Sequence, residues 1–280
     1  MRPVNPADVA ALLRPIPRRL PSGELRRLAD LGALRLVARY GHCTVSDFAA
    51  SIYPRGKYAT QSAQRVARRL VSQQPALLAE RRNALGGRSF VLTRPGAAFL
   101  EIHGTRCHHG MDLASVAGPT YRHHAITARF CQMQESMGAS AWPEHAIGQG
   151  MAPLSQREVV ELCGKIPDAL VIHDATTSIN ARTVRAVETE SARKSNAYIT
   201  KALLMAERAH HGMSNHGFTL TGVTFVFDAG QDHAARIARV ARIMWSPQQR
   251  SAFAPYIACA TVTTRLPLAF SDWKYQPLQI

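Results

Sequence analysis

A disulfide framework is missing from this chain. Its five cysteines, Cys43, Cys107, Cys131, Cys163 and Cys259, are odd in number, widely spaced and without a CxxC pair, so reduced and mostly buried thiols are expected. No run of apolar residues is long enough for a membrane-spanning helix. The N-terminus lacks the apolar core and small-residue cleavage site of a secretory signal. With no Walker loop, no GxGxxG and no GxSxG, nothing points to nucleotide hydrolysis or serine-hydrolase chemistry. Acidic residues are also scarce.

What is present is positive charge. The 280 residues hold 34 Lys and Arg against 19 Asp and Glu, a formal net charge of +15, with an ordinary hydrophobic content of 46%. Such a balance favours a polyanionic partner. The excess is uneven: residues 1–103 carry 17 basic and 6 acidic side chains, a net of +11, which leaves 17 and 13, a net of +4, for residues 104–280. Length and asymmetry together suggest two domains.

Residues 1–21, with five prolines and four arginines, read as a flexible arm. Apolar spacing predicts a first helix from Glu24 to Tyr40, with Ser22 as a candidate cap and Gly41 as its stop. Thr44 opens a second, short helix to Ile52, and a third runs from Thr60 to Ser72. Two strand-like runs, 76–82 and 88–92, flank the turn Asn83–Gly87. Thr93 caps a final helix to Ile102. Residues 104–120, with three glycines and few large apolar side chains, read as a linker. Beyond them, a helix over 122–138, strands over 141–147, 166–173 and 183–190, a helix over 195–211, a strand over 222–228, a helix over 233–245 and a strand over 256–264 suggest an α/β domain with a mixed sheet over 121–280.

The helix–helix–helix–hairpin–helix order over 22–103 resembles the winged-helix family. That resemblance implies a third helix in the major groove of duplex DNA, with the hairpin on the flanking backbone. The residues placed there are Arg55, Lys57, Gln61, Gln64, Arg65, Arg68 and Arg69, then Arg81, Arg82 and Arg88. Gln and Arg can bond base edges, and Arg also pairs with phosphate. A dimerisation or protein-docking module is the competing use of such a fold.

In the second half, Pro167-Asp168 and Glu188-Thr189-Glu190 lie on two successive strands. This series resembles the PD-(D/E)xK nuclease superfamily, whose core is a helix, three strands, a helix and a strand. The resemblance implies Mg²⁺ or Mn²⁺ held by Asp168 and Glu188, with metal-assisted phosphodiester hydrolysis. The chain departs from the motif where Glu190 replaces its Lys. Lys194, sharing a helical face with Tyr198 and Lys201, is the candidate substitute, and Glu144 is a further acidic candidate. The catalytic set expected is therefore Asp168, Glu188, Glu190 and Lys194.

The whole arrangement, together with His123-His124 ahead of the core, is similar to the replication-relaxation family of plasmids and integrative elements. It implies a DNA-binding protein of a mobile genetic element, located in the bacterial cytoplasm at the nucleoid or plasmid. The implied partners are double-stranded DNA, a second copy of the chain, and replication or conjugation proteins, with no membrane. The substitution at Glu190 leaves room for a non-enzymatic transcriptional or replication regulator, or a relaxosome accessory, whose second domain serves dimerisation or docking. A second cluster, His103, Cys107, His108 and His109, has zinc-ligand chemistry but fits no common finger spacing.

Overall fold

The structure is a computed structural model and describes residues 21–53, 57–109, 116–174, 182–190, 195–228, 233–262 and 273–277. The arm over 1–20, Arg55 and Lys194 lie outside the described residues. The fold is α+β, with one mixed sheet and one hairpin. The chain divides into two compact units, Met1–Arg122 with His145–Pro153, and His123–Glu144 with Leu154–Ile280.

The first unit opens with α1 (Ser22–Tyr40). Its N-cap is Pro21 and no side chain bonds there, so Ser22 is the first helical residue instead of the expected cap. Gly41 closes it at φ 78°, a value that glycine adopts without a Cβ penalty. The helix α2 (Val45–Ile52) begins with a capping box between Thr44 and Asp47. Next is α3 (Ala59–Ser72), which buries Ala63, Val66, Ala67 and Leu70, a set at i, i+3, i+4 and i+7. Strands β1 (Leu78–Arg82) and β2 (Arg88–Leu92) pair antiparallel, and a lone bridge joins Cys43 to Phe90. Thr93 caps α4 (Arg94–Ile102). Gly96 sits so close to this turn that a Cβ would lie 2.2 Å from the Leu77 carbonyl oxygen.

The segment read as a linker is partly fastened. Arg35 donates to the Thr105 hydroxyl and the His103 carbonyl, and Ala84 N–H donates to Val116. Tyr121 is buried, with its hydroxyl bonded to Asn83 and Ser89. The same Asn83 accepts from Leu85 and Gly87 N–H, so one buried side chain shapes the hairpin turn and pins it.

The second unit is built on a sheet ordered β3-β4-β5-β7-β8-β9, with β6 paired to β7. Helix α5 (Tyr121–Ser136), in this unit from His123 onward, leads into β3 (Ser140–Pro143); α6 (Glu144–Gly148) belongs from His145 onward to the first unit, and α7 (Gln156–Cys163) to the second. The strand expected over 141–147 ends at Pro143. Glu144 therefore starts a helix instead of lying on a strand, and donates its N–H to the Asp168 carbonyl. The helix α7, with its Ser155–Glu158 capping box, has no counterpart in the sequence reading. Strands β4 (Ala169–Asp174) and β5 (Arg182–Glu190) run antiparallel. After α8 (Asn196–His210) come β6 (Ser214–Asn215) and β7 (Phe218–Asp228), the latter parallel to β5. Helices α9 (His233–Met244) and α10 (Pro247–Phe253) precede β8 (Ile257–Val262), parallel to β7, and β9 (Trp273–Pro277) closes the sheet. Helical crossovers between parallel neighbours cover both sheet faces, which is why residues 186–190 of β5, 222–227 of β7 and 257–260 of β8 are buried without alternation.

At the bulge between Val184 and Ala186, Arg185 reaches across to the Thr224 hydroxyl and to the carbonyls of Val223 and Tyr256. One guanidinium thus satisfies backbone groups that the irregular register frees.

Candidate nucleic-acid interface and carboxylate–lysine site

Two constellations carry chemistry, one in each unit. In the first, the buried stripe of α3 leaves Gln61, Gln64, Arg65 and Arg68 exposed on the opposite face. These four also stand at i, i+3, i+4 and i+7, so they form one polar ridge of donors and acceptors. Lys57 and Tyr58 are exposed at the start of the helix. Arg69 is set apart: its guanidinium is ion-paired with Asp30 of α1, and its Nε–H is shared between the two carboxylate oxygens, each 3.0 Å from Nε. It braces α3 against α1.

On the hairpin, Arg82 and Arg88 are direct cross-strand partners, and both are exposed. Like charges in that position repel. Arg88 also meets Glu80 at 3.1 Å, an exposed pair of small energetic weight. Arg81 is half-buried, with its guanidinium on the Glu80 carbonyl.

The second constellation starts from strand register. Ala169 is opposite Val187, which places Asp168 opposite Glu188 at the end of the antiparallel pair, with both side chains on one sheet face. Asp168 is buried and its Oδ2 accepts from Thr189 N–H at 2.6 Å. Its Oδ1 lies 3.2 Å from His123 Nε2. His123 and Thr127 are one turn apart on α5, and Thr127 bonds the Thr189 hydroxyl at 2.7 Å. A single helical face thus reaches both strands.

Glu188 is fully buried and takes a hydrogen bond from Lys165 Nζ at 2.7 Å. Lys165 follows Gly164, whose left-handed φ of 84° ends α7 and turns the chain toward β4. The Lys165 ammonium also sits 4.0 Å from the centre of the Tyr198 ring. The Tyr198 phenol is held protonated far above its usual range, first by burial, then by the charges of Glu188 and Asp168 and its bond to Glu188, with Glu190 adding to them. All three carboxylates therefore act on one hydroxyl. His124 is pushed below its usual pKa by burial and by His123. The Cys163 thiol is raised to about 12, mainly by burial, and stays protonated.

Sequence reasoning placed Asp168, Glu188 and Glu190 in this region but not Lys165 as its cation. The signal was present: Lys165 begins the same run that ends in Pro167-Asp168. Among the described residues, no group of three His, Cys, Asp or Glu side chains is placed to hold a metal ion. Within the His103–His109 cluster, His103 Nδ1 meets the Phe99 carbonyl at 2.8 Å, and the Cys107 thiol is raised to about 11, first by burial and then by Glu101, which disfavours the thiolate a zinc ion needs. Among the described residues, no helix is long and apolar enough to cross a membrane. The chain matches no known family, no curated protein and no solved structure, so the two constellations rest on their own geometry.

Proposed function

We propose that this chain is a DNA-binding protein whose first unit docks on duplex DNA as a winged helix and whose second unit is a nuclease-like domain that hydrolyses phosphodiesters with a divalent metal. The observation that carries the reading is the exposed ridge Gln61, Gln64, Arg65 and Arg68 opposite the buried stripe of α3. Its length fits a major groove, and its chemistry fits base edges and phosphates. The opposed Arg82–Arg88 pair supports it, because a phosphate between two guanidiniums converts repulsion into attraction. Arg69 is left out of the interface by its bond to Asp30.

For the second unit, α5, β3, β4, β5, α8 and β7 follow the order helix, three strands, helix, strand, with α6 and α7 inserted between β3 and β4 and the two-residue β6 before β7, and this order supports a PD-(D/E)xK-like core. Mg²⁺ commonly binds through one or two carboxylates together with substrate phosphates and water, so Asp168 and Glu188 suffice as protein ligands. Such an ion would polarise the phosphodiester and help deprotonate water. Lys165 supplies the positive charge that Glu190 removes from the motif and stands beside the developing phosphate charge. His123 orients Asp168, and the neutral Tyr198 hydroxyl donates to Glu188. The outline shared with the replication-relaxation family suggests a mobile-element setting, with replication or conjugation proteins and a second copy of the chain as partners.

Incubation with supercoiled plasmid and Mg²⁺ or Mn²⁺ tests the enzymatic part. Nicking that disappears in Asp168→Asn and Lys165→Met proteins is expected. Tight duplex binding without cleavage of any DNA form would instead leave a regulator, a reading favoured by the engagement of Glu188 with Lys165.

A further inference from the structure

A second basic surface lies on α9, in the second unit. This helix carries Arg236, Arg239 and Arg242 and no acidic residue. Its apolar face, Ile237, Ala238, Val240 and Ala241, is buried. Arg239 and Arg242 are exposed and Arg236 is half-buried. The three guanidinium-bearing positions span about 9 Å along the helix axis at 1.5 Å per residue.

The position of this stripe gives it meaning. Strands β5 and β7 are parallel neighbours, with Glu190 paired to Phe227 at their carboxyl ends. The chain leaving β5 enters α8, and the chain leaving β7 enters α9. The first turns of both helices therefore lie at the sheet edge that holds Glu188 and Glu190, the edge where open α/β sheets bind ligands. One contact joins them: Arg236 donates to the Asn196 side chain at 3.1 Å. Asn196 is the first residue of α8, two before Tyr198, whose hydroxyl meets Glu188.

We propose that Arg236, Arg239 and Arg242 form a second contact for the sugar-phosphate backbone of duplex DNA, leading the strand to the Asp168–Glu188–Lys165 site. This rests on the proposed function above and assigns the second unit its own share of the binding. An acidic site alone repels a phosphate backbone, and a cationic track that starts at its mouth with Arg236 and runs outward along α9 offsets that repulsion. A bilayer is the competing polyanion, but Ile237, Ala238, Val240 and Ala241 are buried in the unit and Ile243 is the one large apolar side chain of α9 that is exposed, too little for the apolar face an interfacial helix needs.

The test is fluorescence anisotropy of a labelled duplex with the full chain, in EDTA, over 50–200 mM salt. Each phosphate contact adds about 0.9 to the slope of log affinity against log salt. The variant Arg236→Gln/Arg239→Gln/Arg242→Gln should lower the slope by about 2.7, abolishing roughly 40-fold of the affinity loss across that range. The pair Arg239→Gln/Arg242→Gln removes only exposed side chains and should lower it by about 1.8, with an unchanged melting temperature. Lys at both positions should keep the wild-type slope. An unaltered slope in the Gln variants, while Arg65→Gln/Arg68→Gln lowers it, would overturn the α9 contact and leave the first unit's role intact. Absence of salt-sensitive binding by the wild-type chain would sink both. Phosphatidylserine vesicles captured through the same arginines, with DNA binding unchanged, would also overturn the proposal.

Discussion

Replacing Lys165 with Met should cost about 4 kcal/mol, because its ammonium pairs with a carboxylate that has no solvent of its own. Nζ lies 2.7 Å from Glu188 Oε1, and the two side chains are 18% and 0% exposed. Removing one member of such a pair typically costs about 3–5 kcal/mol, since the remaining buried charge loses its compensation. Loss of the contact with the Tyr198 ring, at 4.0 Å, adds up to about 2 kcal/mol, and Met keeps the packing of the aliphatic stem. Glu188→Gln should cost less, about 1–2 kcal/mol, because the orphaned Lys165 can turn toward water. The double variant should recover part of the loss, with a coupling energy of about 2 kcal/mol. Urea denaturation at pH 7 measures all four proteins, with equal m-values confirming a common denatured state. Additivity within about 0.5 kcal/mol, or a Lys165→Met penalty below about 1 kcal/mol, would show that the pair behaves as a surface contact and would refute the reasoning.

Other perturbations test the first unit. Arg65→Ala/Arg68→Ala should lower the salt slope of duplex binding by about 1.8 without changing stability, as read by anisotropy and thermal melting. Asn83→Ala strands the N–H groups of Leu85 and Gly87 and takes one donor from the hydroxyls of Ser89 and Tyr121, which still bond each other; a loss of about 3 kcal/mol is expected in urea titrations, and a loss below about 1 kcal/mol would mean that water replaces the network. The Tyr121 hydroxyl is raised from 10.0 to about 12, mainly by burial and against the effect of Ser89. The folded state thus holds this proton more tightly, so its contribution is complete below pH 10 and is lost as pH rises toward about 12. Tyr121→Phe should remove that part of the alkaline decline, measured as urea midpoints at pH 8 and pH 11.5.

Much of this architecture is legible in the sequence where local and tertiary preferences agree. Thr44, Thr93 and Ser195 cap the helices that their position announces, because a hydroxyl accepting an N–H two or three residues on needs no distant partner. Val66, Ala67 and Leu70 of the α3 stripe are legible for the same reason, since a 3.6-residue period is local information, whereas the apolar Val71 beside them is only half-buried and Ala63 completes the stripe. Failures occur where long-range contacts decide. Residues 141–147 have strand composition, yet after Pro143 the chain turns into a helix whose first N–H is taken by Asp168. Arg69 resembles Arg65 and Arg68 in sequence, and only Asp30, 39 residues away, separates their roles. The role of Lys165 is not legible from the motif, which assigns its lysine to β5, whereas space requires only that a cation reach Glu188.

The buried carboxylates raise a physical problem that bears on their use. An uncompensated charge in this position would cost several kcal/mol, so such residues persist where partners are fixed. Asp168 is fixed by the Thr189 N–H and His123, and Glu188 by Lys165 and the Tyr198 hydroxyl. Those bonds orient each acceptor before any ligand arrives, which is the arrangement that lets an electrostatic site act without reorganising. A role confined to stability would be met more cheaply by apolar residues of equal volume. The convergence of Asp168, Glu188 and Lys165 at one strand end, beside a helix bearing three arginines, therefore argues for a site that meets an anion and a cation together.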